Sequence, residues 1–221
     1  MERKTKILFS VPNTGRITGR TCLAIARLCQ RPDICYMAVE GGPVDQVRNR
    51  LMRRLLIDHE CTHLLMLDSD VDPPDDIVDL LLACDAPIAS AIVPILTQNA
   101  IVSNIGGKGT FITDWSGITE PFDATVCGAG CVLIRREVAE TVPWPWFRDC
   151  EDKLQSGRIS EDVYFCKKAA KHGFDIKAHP AALCGHFKTV NLLEIVQAFN
   201  SLRRVYEAKI AETAQQEGAL A

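Results

Sequence analysis

Leu64-Leu65-Met66-Leu67-Asp68-Ser69-Asp70 constrains the fold of this chain more than any other stretch. Four large apolar residues in succession fit a strand buried on both faces, as in a parallel sheet covered by helices. The run then ends abruptly at two carboxylates with one residue between them. Alternate side chains share a face on an extended chain, so Asp68 and Asp70 are expected to project together from the strand's carboxyl end. Open α/β sheets bind ligands at that edge. Carboxylates this close repel unless a cation or strong hydrogen bonds lie between them. A hard divalent ion, Mg2+ or Mn2+, bridging to a phosphate is the usual resolution. The competing reading is a helix start at Pro73-Pro74-Asp75-Asp76, where a single carboxylate caps the first turn. The two readings coexist if Asp72 or Asp75 caps while Asp68 and Asp70 hold the ion.

The surrounding pattern fits that strand into an α/β sheet. Strand-like runs at 6–12, 34–39 and 88–95 alternate with helical patterns at about 21–29, 44–59 and 77–82. The helix at 44–59 places Val47, Leu51, Leu55 and Leu56 on one side, with Arg48, Arg50, Arg53 and Arg54 around it. A βαβ alternation of this kind predicts a mostly parallel central sheet covered by helices. After residue 96 the rhythm breaks into a Gly-, Thr-, Ser- and Asn-rich segment. Residues 126–134 then read as one strand interrupted by Gly128 and Gly130, which remove bulk where a ligand or another backbone comes close. A short helix at 135–141, a helix at 160–172 stopped by Gly173, a strand at 174–178 and a helical tail at 191–212 complete the pattern. No repeat or linker divides it. The expectation is a single α/β domain over 1–190, with a C-terminal helix over 191–221 packed on it or extending from it.

Bulk composition narrows the function classes. At 221 residues, 47% hydrophobic and 24% charged, the chain is an ordinary globular one with room for a sizeable core. A net charge of −3 supplies no overall field toward nucleic acid or an anionic membrane, although Arg135-Arg136 and Arg203-Arg204 leave a local basic patch open. No apolar run approaches the roughly 20 residues of a membrane span, and the charged Met1–Lys6 start does not resemble an export signal. The ten cysteines are scattered through apolar patterns, among them Cys29, Cys35, Cys84 and Cys166. Such placement suits buried free thiols in a reducing cytoplasm.

Beyond Asp68 and Asp70, chemistry concentrates at two places. Ser160-Glu161-Asp162 reads as a capped helix start with early carboxylates, or as a general base for an acceptor hydroxyl. His186 reads as an ordinary satisfied histidine, or as the nitrogen donor of a mixed site suited to Mn2+ beside Asp70. A rival zinc reading draws on Cys127, Cys131, Cys184 and His186. Residues four apart on a strand cannot chelate one ion unless the glycines bend the chain. Gly106-Gly107-Lys108-Gly109-Thr110 lacks Walker spacing and a surrounding strand–loop–helix.

These elements in this order resemble glycosyltransferases with the GT-A (Rossmann-like) fold: an apolar strand ending in Asp-Ser-Asp, a Gly-Ala-Gly strand, a Ser-Glu-Asp helix and Cys-Gly-His. The chain looks closest to small stand-alone members of the family-2-like group of bacteria and phages, over residues 7 to about 188. The resemblance implies a hexosyltransferase-like enzyme moving sugar from a nucleoside diphosphate sugar, expected to be a UDP-sugar, to an acceptor hydroxyl with inversion. Asp68-Ser69-Asp70 would be the Asp-x-Asp motif. Asp70, with Asp68 and His186, would hold Mn2+ or Mg2+ on the diphosphate. Pro12, Asn13 and Glu40 would line the nucleotide, and Arg48 of the Arg48-Asn49 pair would touch the base. Asp68, Ser69, Gly128 and Gly130 would complete the donor site. Asp162, beside Glu161, would be the catalytic base, and Trp144 and Trp146 would stack on the acceptor. The acceptor class stays open between glycan, lipid carrier, protein and modified nucleic-acid base, and the C-terminal helix leaves homodimerisation open. One departure is Glu40-Gly41-Gly42, where family 2 commonly carries an Asp-rich stretch. A nucleotidyltransferase, for which Asn13–Arg20 is a partial triphosphate loop, and a non-catalytic nucleotide- or glycan-binding module are the alternatives.

Overall fold

The apolar run of the central strand splits its side chains between two cores. In the computed structural model, which describes residues 4–97, 100–107, 110–115, 117–152 and 157–218, it forms β3 of a seven-stranded sheet. The sheet contains β1 (Ile7–Ser10), β2 (Ile34–Tyr36), β3 (His63–Leu67), β4 (Ile88–Ile92), β5 (Phe122–Ala124), β6 (Cys131–Arg135) and β7 (Ile176–Leu183). Their spatial order is β5-β7-β4-β6-β3-β1-β2. β1 lies parallel to both β2 and β3, and β7 lies parallel to β4. β6 runs antiparallel to both neighbours, and β5 is an antiparallel edge.

Two helical layers cover this sheet. Leu64 and Met66 pack with Val47, Leu51, Met52 and Leu55 of α2 (Val44–Ile57) and with Phe165 and Ala169 of a later helix. Leu65 and Leu67 pack on the opposite face with Ala24 and Leu28 of α1 (Gly19–Leu28) and Ile77, Val78 and Leu81 of α3 (Ile77–Ala83). Two-sided burial is the reason the run needs no polar alternation. α4 (Arg136–Thr141), α5 (Glu161–Lys171) and α6 (Leu192–Gly218) follow. The chain divides into two units, Met1–Phe187 and Lys188–Ala221, the second built on α6. No described helix is long and apolar enough to cross a membrane.

Several local expectations are corrected. The stretch 126–134 is not one strand. Val126-Cys127 pairs with Ile105-Gly106 in a separate three-stranded sheet, whereas Cys131–Arg135 joins the central one, so Gly128-Ala129-Gly130 crosses between sheets. α3 is capped by neither Asp72 nor Asp75: its N-cap is Asp76, and Asp75 pairs with Arg27 instead. Ser160 occupies the N-cap of α5 without a side-chain cap bond. Cys22 and Cys29 are exposed rather than buried. Arg136 is no part of a basic patch. Its guanidinium is buried beneath the end of α2, donating to the Leu55 and Leu56 carbonyls, orphan acceptors of the helix end, and to the carbonyls of Asp58 and Cys61 in the turn that follows. Lys108 and Gly109 of the glycine-rich run, and the final residues 219–221, lie outside the described residues.

Candidate active site

β3 stops at Leu67, and Asp68-Ser69-Asp70 forms a turn rather than extended chain, closed by the Val71 amide on the Asp68 carbonyl at 3.2 Å. The alternation that would aim both carboxylates one way therefore does not operate, and each acquires its own partner. Three other segments pin the turn through its backbone. The Asp68 amide donates to the Gly130 carbonyl (2.8 Å), the Thr18 amide to the Ser69 carbonyl (2.9 Å) and the Phe187 amide to the Asp70 carbonyl (2.8 Å). Ser69 thus contributes its carbonyl to the architecture.

Asp68 faces Arg48. The Arg48 residue is only 3% exposed, with Nη2 2.8 Å from Asp68 Oδ1 and Nη1 bonded to Glu161 Oε1. Burial opposes the charge on Arg48, and Asp68, Glu161 and Asp162 together outweigh it and push its pKa up. This placement corrects the expectation of a base contact: the guanidinium is committed to carboxylates inside the protein. Burial pushes the Glu161 carboxyl up, against the lowering pull of Arg48.

Asp162 is oriented by its own helix start. Its Oδ1 accepts from Ser160 Oγ and, at 2.7 Å, from the Val163 amide. Its Oδ2 turns toward the crossing segment, where a methyl on Gly128 would lie 3.4 Å away. A methyl on Gly130 would lie 3.6 Å from Asp68 Oδ2. The two glycines thus let the crossing segment run close to both carboxylates. Asn104, which no sequence pattern singles out, holds that segment in place. Its Nδ2 donates to the Ala91 and Gly128 carbonyls, and its Oδ1 accepts from the Val93 amide. A lone buried Asn has no periodicity to announce it.

Asp70 faces His186. Gly185-His186 pairs antiparallel with Val71-Asp72, bringing His186 Nε2 to 3.4 Å from Asp70 Oδ1. His186 Nδ1 lies 2.6 Å from the Pro94 carbonyl oxygen. A carbonyl only accepts, so Nδ1 carries the proton, and in the neutral ring Nε2 presents a lone pair to the carboxylate. A cation between the two groups would be held by the carboxylate oxygen and by that lone pair. The oxygen and nitrogen donors fit Mn2+. Among the described residues no three His, Cys, Asp or Glu side chains group as a metal cage.

The remaining expectations separate cleanly. Pro12-Asn13 lies parallel to Val39-Glu40 at the edge beside β1. The Asn13 side chain is used internally, on the Val11 and Val39 carbonyls and the Gly15 amide, whereas Glu40 is exposed. Trp144 is exposed, but Trp146 is 4% exposed and belongs to the core, which corrects its assignment to an acceptor. The loop they share is anchored by Asn49, which accepts from the Trp146 and Phe147 amides, and by Lys168 on the Pro143 and Pro145 carbonyls. The zinc constellation is not assembled. Cys127 Sγ lies 3.8 Å from Cys166 Sγ, and Cys131 pairs with Cys184. The hydrogen bond to the neighbouring sulfur, and then burial, push the Cys127 and Cys131 thiols well above their ordinary range, the condition of inert core thiols.

Solved structures share this architecture. The crystal structure of A197 from STIV superposes with a TM-score of 0.60 at 22% identity, over 84% of this chain and 87% of that one. GalNAc-T7, crystallised with UDP, GalNAc and Mn2+, superposes at 0.53 and 11% identity over 84% of this chain. The fold is GT-A-like. The matched region is 44% of the GalNAc-T7 chain, so this chain spans less than half of that protein. No protein-family model matches the sequence, and no curated protein matches it.

Proposed function

We propose that the chain is a metal-dependent glycosyltransferase that takes a nucleoside diphosphate sugar, a UDP-sugar, as donor. The observation that carries this reading is the Asp70–His186 pair at the carboxyl end of β3 in a GT-A-like sheet. The GalNAc-T7 structure with the same fold holds UDP, GalNAc and Mn2+. A divalent cation held by Asp70 and His186 would neutralise charge developing on the departing diphosphate.

The other residues then take distinct tasks. Glu40, exposed beside Asn13, offers a carboxylate to the nucleoside, and Asp68 and the Ser69 turn border the donor. Gly128 and Gly130 keep bulk out of the space between Asp68 and Asp162. Asp162 Oδ2 accepts the proton of the acceptor hydroxyl, whose oxygen forms the new bond to the anomeric carbon as the bond to the diphosphate oxygen breaks. The anomeric centre inverts. Exposed Trp144 gives an apolar face for an acceptor sugar.

A thermal-shift screen of nucleotides and nucleotide sugars, each with and without Mn2+, tests the reading. Stabilisation by UDP or a UDP-sugar that chelation removes is the expected result. A flat screen on folded protein overturns it. Release of pyrophosphate instead of UDP identifies a nucleotidyltransferase, and binding without hydrolysis or transfer identifies a binding module.

A further inference from the structure

We infer that Arg48 is a positioning residue that sets the donor-side and acceptor-side carboxylates in register. The role rests on the glycosyltransferase reading above. One planar guanidinium holds Asp68 at the end of β3 with Nη2 and Glu161 at the start of α5 with Nη1. These partners are 20 and 113 residues away in sequence. Each neighbours one side of the crossing segment: Asp68 Oδ2 lies by Gly130, and Asp162, the residue after Glu161, has Oδ2 by Gly128. Fixing Asp68 and the first turn of α5 from one point therefore fixes the separation between the donor edge and the proposed base.

Only an arginine can do this. Its fork grips two carboxylates at a set angle, whereas a lysine ammonium is a single point charge on a flexible stem. The geometry also carries a cost that a packing residue would avoid. The buried Nε–H of Arg48 has no partner in the structure described, and such a group ordinarily finds one. Arg48 acts through the carboxylates it holds and does not touch substrate.

The test compares wild type with Arg48→Lys, Arg48→Ala and Glu161→Gln. The probes are UDP with MnCl2 for affinity, and UDP release from UDP-GalNAc and UDP-glucose for turnover. Positioning predicts that Arg48→Lys binds UDP within about threefold of wild type while turnover falls about 100-fold, the scale of an ångström-level misplacement. Millimolar guanidinium restores part of the turnover of Arg48→Ala. Amide hydrogen exchange is read in parallel at Val71, bonded to the Asp68 carbonyl, and at Val163, bonded to Asp162 Oδ1. Both amides exchange faster in Arg48→Lys. A loss of UDP affinity equal to the loss of turnover overturns the proposal, because Arg48 then touches the donor. Faster exchange confined to α2 overturns it as well. If Arg48→Ala does not fold, Arg48→Lys still decides. Glu161→Gln, which weakens one arm of the fork, is expected to follow Arg48→Lys in keeping UDP affinity while turnover falls; unchanged turnover in it overturns the proposal. A wild-type protein that neither binds UDP nor releases it sinks the glycosyltransferase reading, while exchange at Val71 and Val163 still decides the role of Arg48.

Discussion

His186 points Nε2 at Asp70 Oδ1 across 3.4 Å while its Nδ1 is committed to the Pro94 carbonyl. The fixed tautomer leaves Nε2 as the donor atom. Asp70→Ala and His186→Ala are each expected to remove the Mn2+-dependent part of any UDP stabilisation. The measurement is the thermal shift by UDP with and without Mn2+. An undiminished Mn2+ effect in both variants would place the cation elsewhere.

Asp162→Asn should separate chemistry from binding. Asparagine keeps an oxygen to accept from Ser160 and from the Val163 amide, yet it cannot take a proton. UDP affinity should be retained, with turnover down by about 10²–10⁴-fold, the range of a general base. Steady-state kinetics at saturating donor check this, and full activity would remove Asp162 from the role.

The two glycines of the crossing segment should respond differently to alanine. At Gly128 the methyl meets Asn104 Cβ at 3.0 Å, and the Gly128 amide on the Asn104 carbonyl holds the two backbones together. Gly128→Ala is expected to cost about 1–3 kcal/mol of stability by overpacking. At Gly130 the nearest atom is 3.5 Å away, so Gly130→Ala should fold well and act on the donor edge through Asp68. Chemical denaturation paired with UDP affinity distinguishes the two.

Loss of the Arg136 side chain should unfasten the end of α2. Arg136→Met preserves the apolar stem but strands the Leu55, Leu56 and Cys61 carbonyls, whereas the Asp58 carbonyl keeps the Cys61 amide. A loss on the order of 3 kcal/mol is expected from buried acceptors without donors, read by urea denaturation.

His63 supplies a pH dependence. Burial, with Arg135 nearby, lowers its pKa from 6.5 to about 4. The fold therefore favours neutral imidazole. Its stability contribution is full above pH 6.5 and is lost as pH falls from 6.5 toward 4, on the order of 3 kcal/mol in all. His63→Gln should flatten the stability profile in that window. An unchanged slope would show that His63 titrates normally in the folded protein.

The central strand was legible because its signal is local. Four apolar residues in succession specify a doubly buried strand, and Leu64/Met66 and Leu65/Leu67 divide between the cores as a period of two requires. The α5 start at Glu161 and the strand–helix alternation through α3 were legible for the same reason. The orientation of β6 was not, since a buried run reads the same whether it pairs parallel or antiparallel.

What the sequence by itself determined is therefore the α/β class, the central strand with the carboxylates that follow it, and the strand–helix alternation through α3. Tertiary structure alone decided which of these groups meet. It sent the Gly128–Gly130 segment from one sheet to another, buried Trp146 while exposing Trp144, and turned Arg48 from the polar-looking rim of α2 into the space between Asp68 and Glu161. The physical reason is that a residue pattern reports only which face is buried. The identity of a buried charge's partner depends on which distant segments the packed sheet and helices bring within hydrogen-bonding reach.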